Sequence, residues 1–138
     1  MRALTFLVDR FAWTPFSKTL PDADDAPSAG SIGEGLVAFL HVEAGDVAEE
    51  RRRKVFRKTL KHLKWLANKR GLEAVVLHSF THLGGQSAPA DEARAFLEEL
   101  AARLSKTGYR VEVTPFGWFS SWRIDVRGES LAKVYQEL

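Results

Sequence analysis

Cysteine is missing from the 138 residues of this sequence. Disulfide bonds, thiolate nucleophiles and most structural zinc sites are therefore excluded, because each of them depends on cysteine side chains. Long hydrophobic runs are also missing, since no apolar stretch approaches the roughly 18 to 20 residues that a membrane-spanning helix needs. No basic and apolar leader is recognisable from Met1 onwards, and we therefore expect a cytoplasmic protein.

Positive charge is in small excess, with a formal net charge of +2. A net charge of this size does not by itself indicate a nucleic-acid partner. The positive charges are unevenly distributed, however, because ten of the twenty lysines and arginines lie between Arg51 and Arg70. Such a cluster is usually the solvated face of a helix, and contact with phosphate groups is the alternative. The 45% hydrophobic and 28% charged residues are typical of one globular domain, which we place at residues 1–138.

Hydrophobic periodicity predicts an α/β (α+β) protein with a mixed β-sheet of about five strands, two long helices and a short C-terminal helix. The helices are expected from Glu49 to Arg70 and from Pro89 to just before Gly108, and the terminal helix from Ser130 to Leu138. Residues 14–35, rich in proline, aspartate and glycine, are predicted to form a long loop. The predicted strands lie at residues 4–8, 36–42, 73–77, 109–113 and 121–127.

Two turn segments that follow predicted strands mix glycine, aromatic and hydroxyl side chains. They are residues 78–85, His-Ser-Phe-Thr-His-Leu-Gly-Gly, and residues 115–121, Pro-Phe-Gly-Trp-Phe-Ser-Ser. Loops at strand ends are where α/β proteins carry their chemistry, because the sheet positions them while a ligand can reach them. His78 and His82 have a spacing known from metal ligands on helices, but they leave a strand, so we expect no metal site.

The same segments resemble a known family, the archaeal threonyl-tRNA synthetase editing domain. Ser79-Phe80-Thr81-His82-Leu83 is similar to that family's Pro-Phe-Ala-His-Leu, and Pro115-Phe116-Gly117-Trp118-Phe119 is similar to its Pro-Phe-Gly-Tyr-Tyr. The similarity continues through Leu36–Phe39, Gly128 and Leu131-Ala132, and so covers essentially the whole chain. It implies a fold like that of D-aminoacyl-tRNA deacylases, a homodimer, and no cofactor.

The function implied by the resemblance is hydrolysis of seryl-tRNA(Thr), in a pocket of backbone groups where the terminal ribose hydroxyl of the tRNA helps to activate water. The acceptor end of tRNA(Thr) is then the expected partner, and the chain could be the N-terminal module of a longer synthetase. We expect His82 to orient substrate or water and Phe119 to border the terminal adenosine or the ester. The residues expected to bind substrate are Val42, Ser79, Phe80, Thr81, Pro115, Phe116, Gly117, Trp118 and Phe119.

Two positions depart from the family's pattern. Ser120 stands where the family has a lysine, and Lys133 stands where it has a glutamate. One hypothesis is that the cation has moved, so that Lys133 reaches the volume beside Ser120 and both take part in catalysis. Two other functions remain open, a non-catalytic appendage for tRNA binding or dimerisation and a D-aminoacyl-tRNA deacylase.

Overall fold

The computed structural model describes residues 1–138 and contains one seven-stranded sheet with two long helices. Five strands form a path in the order β2-β1-β3-β4-β5, while β6 and β7 both pair with β1. The strands are β1 Arg2–Lys18, β2 Gly30–Ile32, β3 Gly35–His41, β4 Ala74–Ser79, β5 Arg110–Val113, β6 Trp118–Val126 and β7 Lys133–Glu137. The helices are α1 Glu49–Lys69 and α2 Ala90–Lys106, with short 3-10 turns at Ala44–Asp46 and Ser130–Ala132.

The sheet is mixed because parallel and antiparallel strands meet in it. β3, β4 and β5 run parallel, and α1 and α2 make the two connections between them, as crossover connections require. β1 pairs antiparallel with β3, β6 and β7. The predicted mixed sheet with two long helices is therefore confirmed, although the sheet has seven strands rather than about five.

The predicted loop at residues 14–35 is wrong at residues 14–18 and 30–32, which lie in strands, whereas residues 19–29 contain no helix or strand, as predicted. β1 continues to Lys18 because its second half pairs with β6, and the short β2 pairs with the same part of β1. The register shifts between Val8 and Arg10 and again between Pro15 and Ser17, and these bulges disturb the alternation of side chains. Pro15, which lacks an N–H, lies beside the second bulge, a position where a strand tolerates proline.

The predicted C-terminal helix from Ser130 to Leu138 is also wrong. Ser130–Ala132 forms a single 3-10 turn, and Lys133–Glu137 forms β7, which pairs with β1 from Arg2 to Phe6. Lysine, glutamine and glutamate favour a helix only weakly, and pairing with a neighbouring strand overrides such a preference.

Both faces of the sheet are covered by apolar side chains. Helices α1 and α2 bury Leu63, Leu66, Phe96 and Leu100 against one face. The opposite face carries a smaller cluster around Phe39, whose ring packs against several other aromatic rings. Removing one of these buried side chains, as in Leu→Ala, typically costs about 2–5 kcal/mol of stability.

The ends of both helices follow the signals in the sequence. Gly71 and Gly108 adopt positive φ angles of 60° and 97°, as helix-ending glycines often do. Acidic residues lie in the first turn of each helix and basic residues in the last, which suits the helix dipole. Neither helix is long and apolar enough to cross a membrane.

Candidate active site

The carboxyl ends of the three parallel strands meet at one edge of the sheet. The segments that follow β3, β4 and β5 therefore lie next to one another, and together with the start of β6 they enclose a cavity of about 370 Å³. Ligand sites in open α/β sheets occur at this edge, and the volume is sufficient for a small ligand. The cavity is the candidate active site.

The structure brings both sequence-predicted turns to this cavity. All nine predicted substrate-binding residues line it, together with His82 and Ser120. No aspartate, glutamate, lysine or arginine side chain contributes to the lining. The lining comprises Thr19, Leu20, Val42, His78, Ser79, Phe80, Thr81, His82, Ser87, Ala88, Ala90, Ala93, Thr114, Pro115, Phe116, Gly117, Trp118, Phe119, Ser120 and Trp122.

A larger cleft of about 610 Å³ lies on the other side of the wall formed by Thr114, Pro115 and Phe116. Its charged lining consists of three carboxylates and Arg94, whose guanidinium lies 5.0 Å from the centre of the Phe116 ring and 3.5 Å from Asp22. An excess of carboxylates repels the phosphate groups of RNA. The smaller cavity, which has no acidic lining, is therefore the better candidate for an RNA-linked substrate.

His78 lies at the end of β4 and joins this strand to the wall of the cavity. Its Nδ1 and the Thr114 hydroxyl are 2.6 Å apart, and both side chains are buried. Burial lowers the pKa of His78 to about 4, because a charged imidazole would lose its hydration there. His78 is therefore neutral near pH 7, and its hydrogen bond fixes the wall.

The turn after β4 lines the cavity and contains main-chain donors that are not used within the protein. The Phe80 N–H donates to the Leu40 carbonyl at 2.9 Å, whereas the N–H groups of Thr81 and His82 are used by no hydrogen bond within the protein. Two adjacent free N–H groups can stabilise an oxyanion that develops during acyl transfer. The His82 imidazole is exposed and meets the Phe80 ring edge-on, with the ring centres 5.3 Å apart.

The ion pair between Arg2 and Glu43 holds the segment that contains Gly84 and Gly85. Arg2 Nε lies 3.0 Å from a Glu43 carboxylate oxygen, and its Nη1 donates to the Leu83 carbonyl at 3.2 Å. The same Glu43 oxygen accepts the Gly85 N–H at 3.3 Å, so this N–H is not free to bind an anion. A Cβ at Gly84 would contact the Arg2 guanidinium, so a side chain there would require the end of the Arg2 side chain to move.

The turn between β5 and β6 needs glycine at position 117. Gly117 has a φ of 77°, in the left-handed region, and a Cβ there would lie 2.9 Å from that of Ala23. The Gly117 carbonyl accepts the Thr19 N–H at 2.7 Å, and the Trp118 indole donates to the Asp24 carbonyl at 2.8 Å. These bonds fasten the turn to residues 19–24.

The two positions that depart from the family's pattern lie apart in the chain's structure. Ser120 lines the cavity, and its buried hydroxyl oxygen has no hydrogen-bond partner in the protein. Lys133 does not line the cavity: it lies exposed in β7 opposite Phe6, and its Nζ donates to the Arg127 carbonyl at 3.2 Å. The structure therefore corrects the prediction that Lys133 reaches the volume beside Ser120.

Several lining residues were not predicted from the sequence. Thr19 and Leu20 belong to the segment taken for a loop, and Trp122 was assigned only to a strand face. The hydroxyl of Ser87 lies 2.9 Å from Nε2 of the buried His41, and only the fold brings these two residues together. No group of three or more histidine, aspartate or glutamate side chains is arranged to hold a metal ion.

Comparison with protein families gives one match over residues 1–138, to a model described as the archaea-specific editing domain of threonyl-tRNA synthetase. Among curated proteins, the chain is 30% identical to a threonine--tRNA ligase of Methanosphaera stadtmanae over 136 residues. It is 31% identical to that of Pyrobaculum aerophilum, also over 136 residues. Each alignment covers 97% of the chain but 22% of the relative, so the chain spans about a fifth of their length.

Solved structures with the same fold include one of a probable eukaryotic D-amino acid tRNA deacylase, with a TM-score of 0.68 and 12% identity. The match covers 99% of this chain and 98% of the other. A c-Myc DNA unwinding element binding protein matches with a TM-score of 0.65 and 18% identity, over 100% and 99% of the two chains. At these identities the likeness establishes the fold, as expected from the sequence resemblance.

Proposed function

Since the chain belongs to the archaea-specific editing-domain family of threonyl-tRNA synthetase, we propose that it is a proofreading hydrolase that removes serine mischarged onto tRNA(Thr). A synthetic site that binds threonine cannot exclude serine strongly, because one methyl group is worth only about 1–3 kcal/mol. A second site that admits serine and rejects threonine by steric clash supplies the missing discrimination.

The observation that supports this proposal is the single cavity in which both family-like turns meet. Its lining includes the buried apolar residues Val42, Ala88 and Ala93, and we infer that the hydroxymethyl group of serine binds against them. Its mouth carries aromatic side chains, including Phe119, of which 62% is exposed. An exposed aromatic ring is the surface on which an unpaired base stacks, here the terminal adenosine of the tRNA.

The reaction is addition of water to the ester carbonyl, which releases serine and leaves a hydroxyl on the terminal ribose. In this proposal the N–H groups of Thr81 and His82, which make no hydrogen bond within the protein, stabilise the oxyanion of the tetrahedral intermediate. Because no carboxylate lines the cavity and His78 is held by Thr114, water activation falls to the ribose hydroxyl of the substrate, with His82 orienting the water.

The proposed partner is the acceptor end of tRNA(Thr). Helix α1 offers a basic surface, although Arg51, Arg52, Arg53 and Arg70 are each paired with a carboxylate. The unpaired cations Lys54, Arg57, Lys58 and Lys61 are exposed and available for RNA phosphates. We further propose that residues 1–138 form one editing domain that dimerises and works with a synthetase catalytic module.

The test is to incubate the purified domain with three substrates in parallel, Ser-tRNA(Thr), Thr-tRNA(Thr) and a D-aminoacyl-tRNA, and to follow loss of each ester. Selective hydrolysis of the seryl ester is the expected result. Binding of all three without hydrolysis would instead support a non-catalytic appendage, and preference for the D-aminoacyl ester would support a D-aminoacyl-tRNA deacylase. A Gly117→Ala variant, which strains the wall of the cavity, tests whether the hydrolysis arises at this site.

A further inference from the structure

A histidine and a serine form a hydrogen-bonded pair at the wall of the cavity. His41, at the end of β3, is fully buried, and its Nε2 lies 2.9 Å from the Ser87 hydroxyl oxygen. Ser87 lines the cavity, whereas His41 does not. The pair therefore connects a buried imidazole to a serine of the cavity lining.

The backbone around Ser87 is held firmly. Glu43 and Ser87 form an isolated antiparallel bridge, the Ala44 N–H donates to the Gln86 carbonyl at 2.8 Å, and the Ala88 N–H donates to the Val42 carbonyl at 2.9 Å. The main chain thus fixes where the hydroxyl lies, and His41 fixes how it is oriented. Such double positioning is what a recognition group requires.

The bonding of His41 decides which way the Ser87 proton points. Nδ1 of His41 is buried and has no hydrogen-bond partner in the protein. A buried N–H without an acceptor is rarer than an unused acceptor, so the proton belongs on Nε2. Nε2 then donates to the Ser87 oxygen, which leaves the Ser87 O–H free to donate into the cavity.

The same geometry argues against a nucleophilic dyad. A serine nucleophile needs a histidine that accepts its proton and a third group that stabilises the resulting imidazolium. Protonated His41 would bury an Nδ1–H with no acceptor. Burial also lowers the pKa of His41, against the attraction of the Glu43 carboxylate, so the neutral ring is the stable form.

Ser87 lines the cavity beside Ala88, which with Val42 and Ala93 is among the buried residues of the lining. We propose that Ser87, oriented by His41, forms an alcohol-binding subsite whose hydroxyl donates to the side-chain hydroxyl of the bound aminoacyl group. This inference rests on the proposed function, because it assumes that an aminoacyl ester occupies the cavity.

The test compares two esters that differ only in that hydroxyl. The same tRNA is charged with serine or with alanine by an acylating ribozyme, and kcat/KM for hydrolysis of each ester is measured. The variants are Ser87→Ala, His41→Phe and His41→Gln, with Ser121→Ala as the matched control. Ser121 is exposed in the neighbouring strand β6 and does not line the cavity.

We expect Ser87→Ala to lower the seryl-to-alanyl ratio of kcat/KM by about tenfold, the amount that one neutral hydrogen bond contributes. His41→Phe should lower the ratio in the same direction, since it removes the group that orients the hydroxyl. His41→Gln keeps a donor near Ser87 and should restore most of the ratio, and Ser121→Ala should leave it unchanged. Thermal unfolding of each variant shows that it is folded.

An equal loss of both activities in Ser87→Ala would overturn the inference, because the hydroxyl would then serve the ester or water that the two substrates share. An unchanged ratio in Ser87→Ala would overturn it too. Absence of seryl hydrolysis in the wild-type domain is a different outcome, which contradicts the proposed function itself. A destabilised His41→Phe variant does not block the test, because Ser87→Ala and His41→Gln decide it alone.

Discussion

Acidification should loosen the wall of the cavity through His78. Burial lowers the pKa of His78 to about 4, from an ordinary value of 6.5, while the unfolded chain keeps the ordinary value. Between these two values the unfolded state binds more protons than the folded state, so stability rises with pH in this window. The contribution is complete above pH 6.5 and is lost as the pH falls toward 4.

The size of the effect follows from the two pKa values. The difference of about 2.5 units corresponds to roughly 3 kcal/mol when the loss is complete, at 1.36 kcal/mol per unit. At about pH 5.5 the same relation gives a loss of about 1.4 kcal/mol, and at about pH 4.5 it gives about 2.5 kcal/mol. These are large fractions of the 5–15 kcal/mol typical of a folded domain.

The assay is urea unfolding followed by tryptophan fluorescence, at several pH values, for the wild type and for His78→Asn. Asparagine retains a group that can bond to Thr114 but does not titrate, so only His78 differs between the two proteins. We expect the difference between their unfolding free energies to shrink by about 2.5 kcal/mol between about pH 7.5 and pH 4.5. A difference that is constant with pH would refute the reasoning, because His78 would then not be neutral and desolvated.

Three further predictions concern other parts of the site. Gly117→Ala should lower the free energy of unfolding by about 1–2 kcal/mol because alanine is strained in the left-handed backbone conformation, and the collision with Ala23 should lower it further. The melting temperature should therefore fall, and an unchanged melting temperature would contradict the strain. Phe119→Ala should change stability by less than about 0.5 kcal/mol, since 62% of the side chain is exposed, but should weaken tRNA binding about tenfold in a filter-binding assay. Equal affinity would mean that no base stacks there. Arg57→Gln combined with Lys58→Gln should make the slope of log K for tRNA binding against log salt concentration shallower by about one to two. An unchanged slope would show that α1 is only a solvated surface.

Much of the fold could be predicted from local patterns. The buried positions of α1, Val55, Thr59, Leu63 and Leu66, recur at helical spacing, and the structure buries all four. Glycine ends both long helices at the predicted positions, because it adopts a positive φ at little cost. Strands β3 and β4 were predicted because each is a short, almost entirely apolar run of residues.

The errors arose where pairing partners, rather than local preference, decide the structure. The alternation of β1 is interrupted by bulges after Val8 and after Pro15, and its second half is a strand because β6 and β2 pair with it. Lys133–Glu137 became β7 because β1 pairs with it. A single sequence does not contain these long-range pairings in readable form.

More of the candidate site than of the strand order could be predicted from the sequence. Both turns were predicted to carry substrate-binding residues, and both line the cavity, because the carboxyl ends of the parallel strands meet at one edge of the sheet. His41 and Ser87 could not be paired in advance, because their contact depends on how the loop after β4 folds back on β3. The position of Lys133 depended on β7 and was mispredicted with it.

The most direct test of the account is the single-turnover hydrolysis rate of Ser-tRNA(Thr) whose terminal adenosine either carries or lacks its free ribose hydroxyl. Because the cavity is lined by no carboxylate, lysine or cysteine, we attribute water activation to that hydroxyl. The account predicts that its removal slows hydrolysis by about 100-fold or more, the usual contribution of a general base. Equal rates for the two substrates would contradict the account, because the protein itself would then have to supply the base.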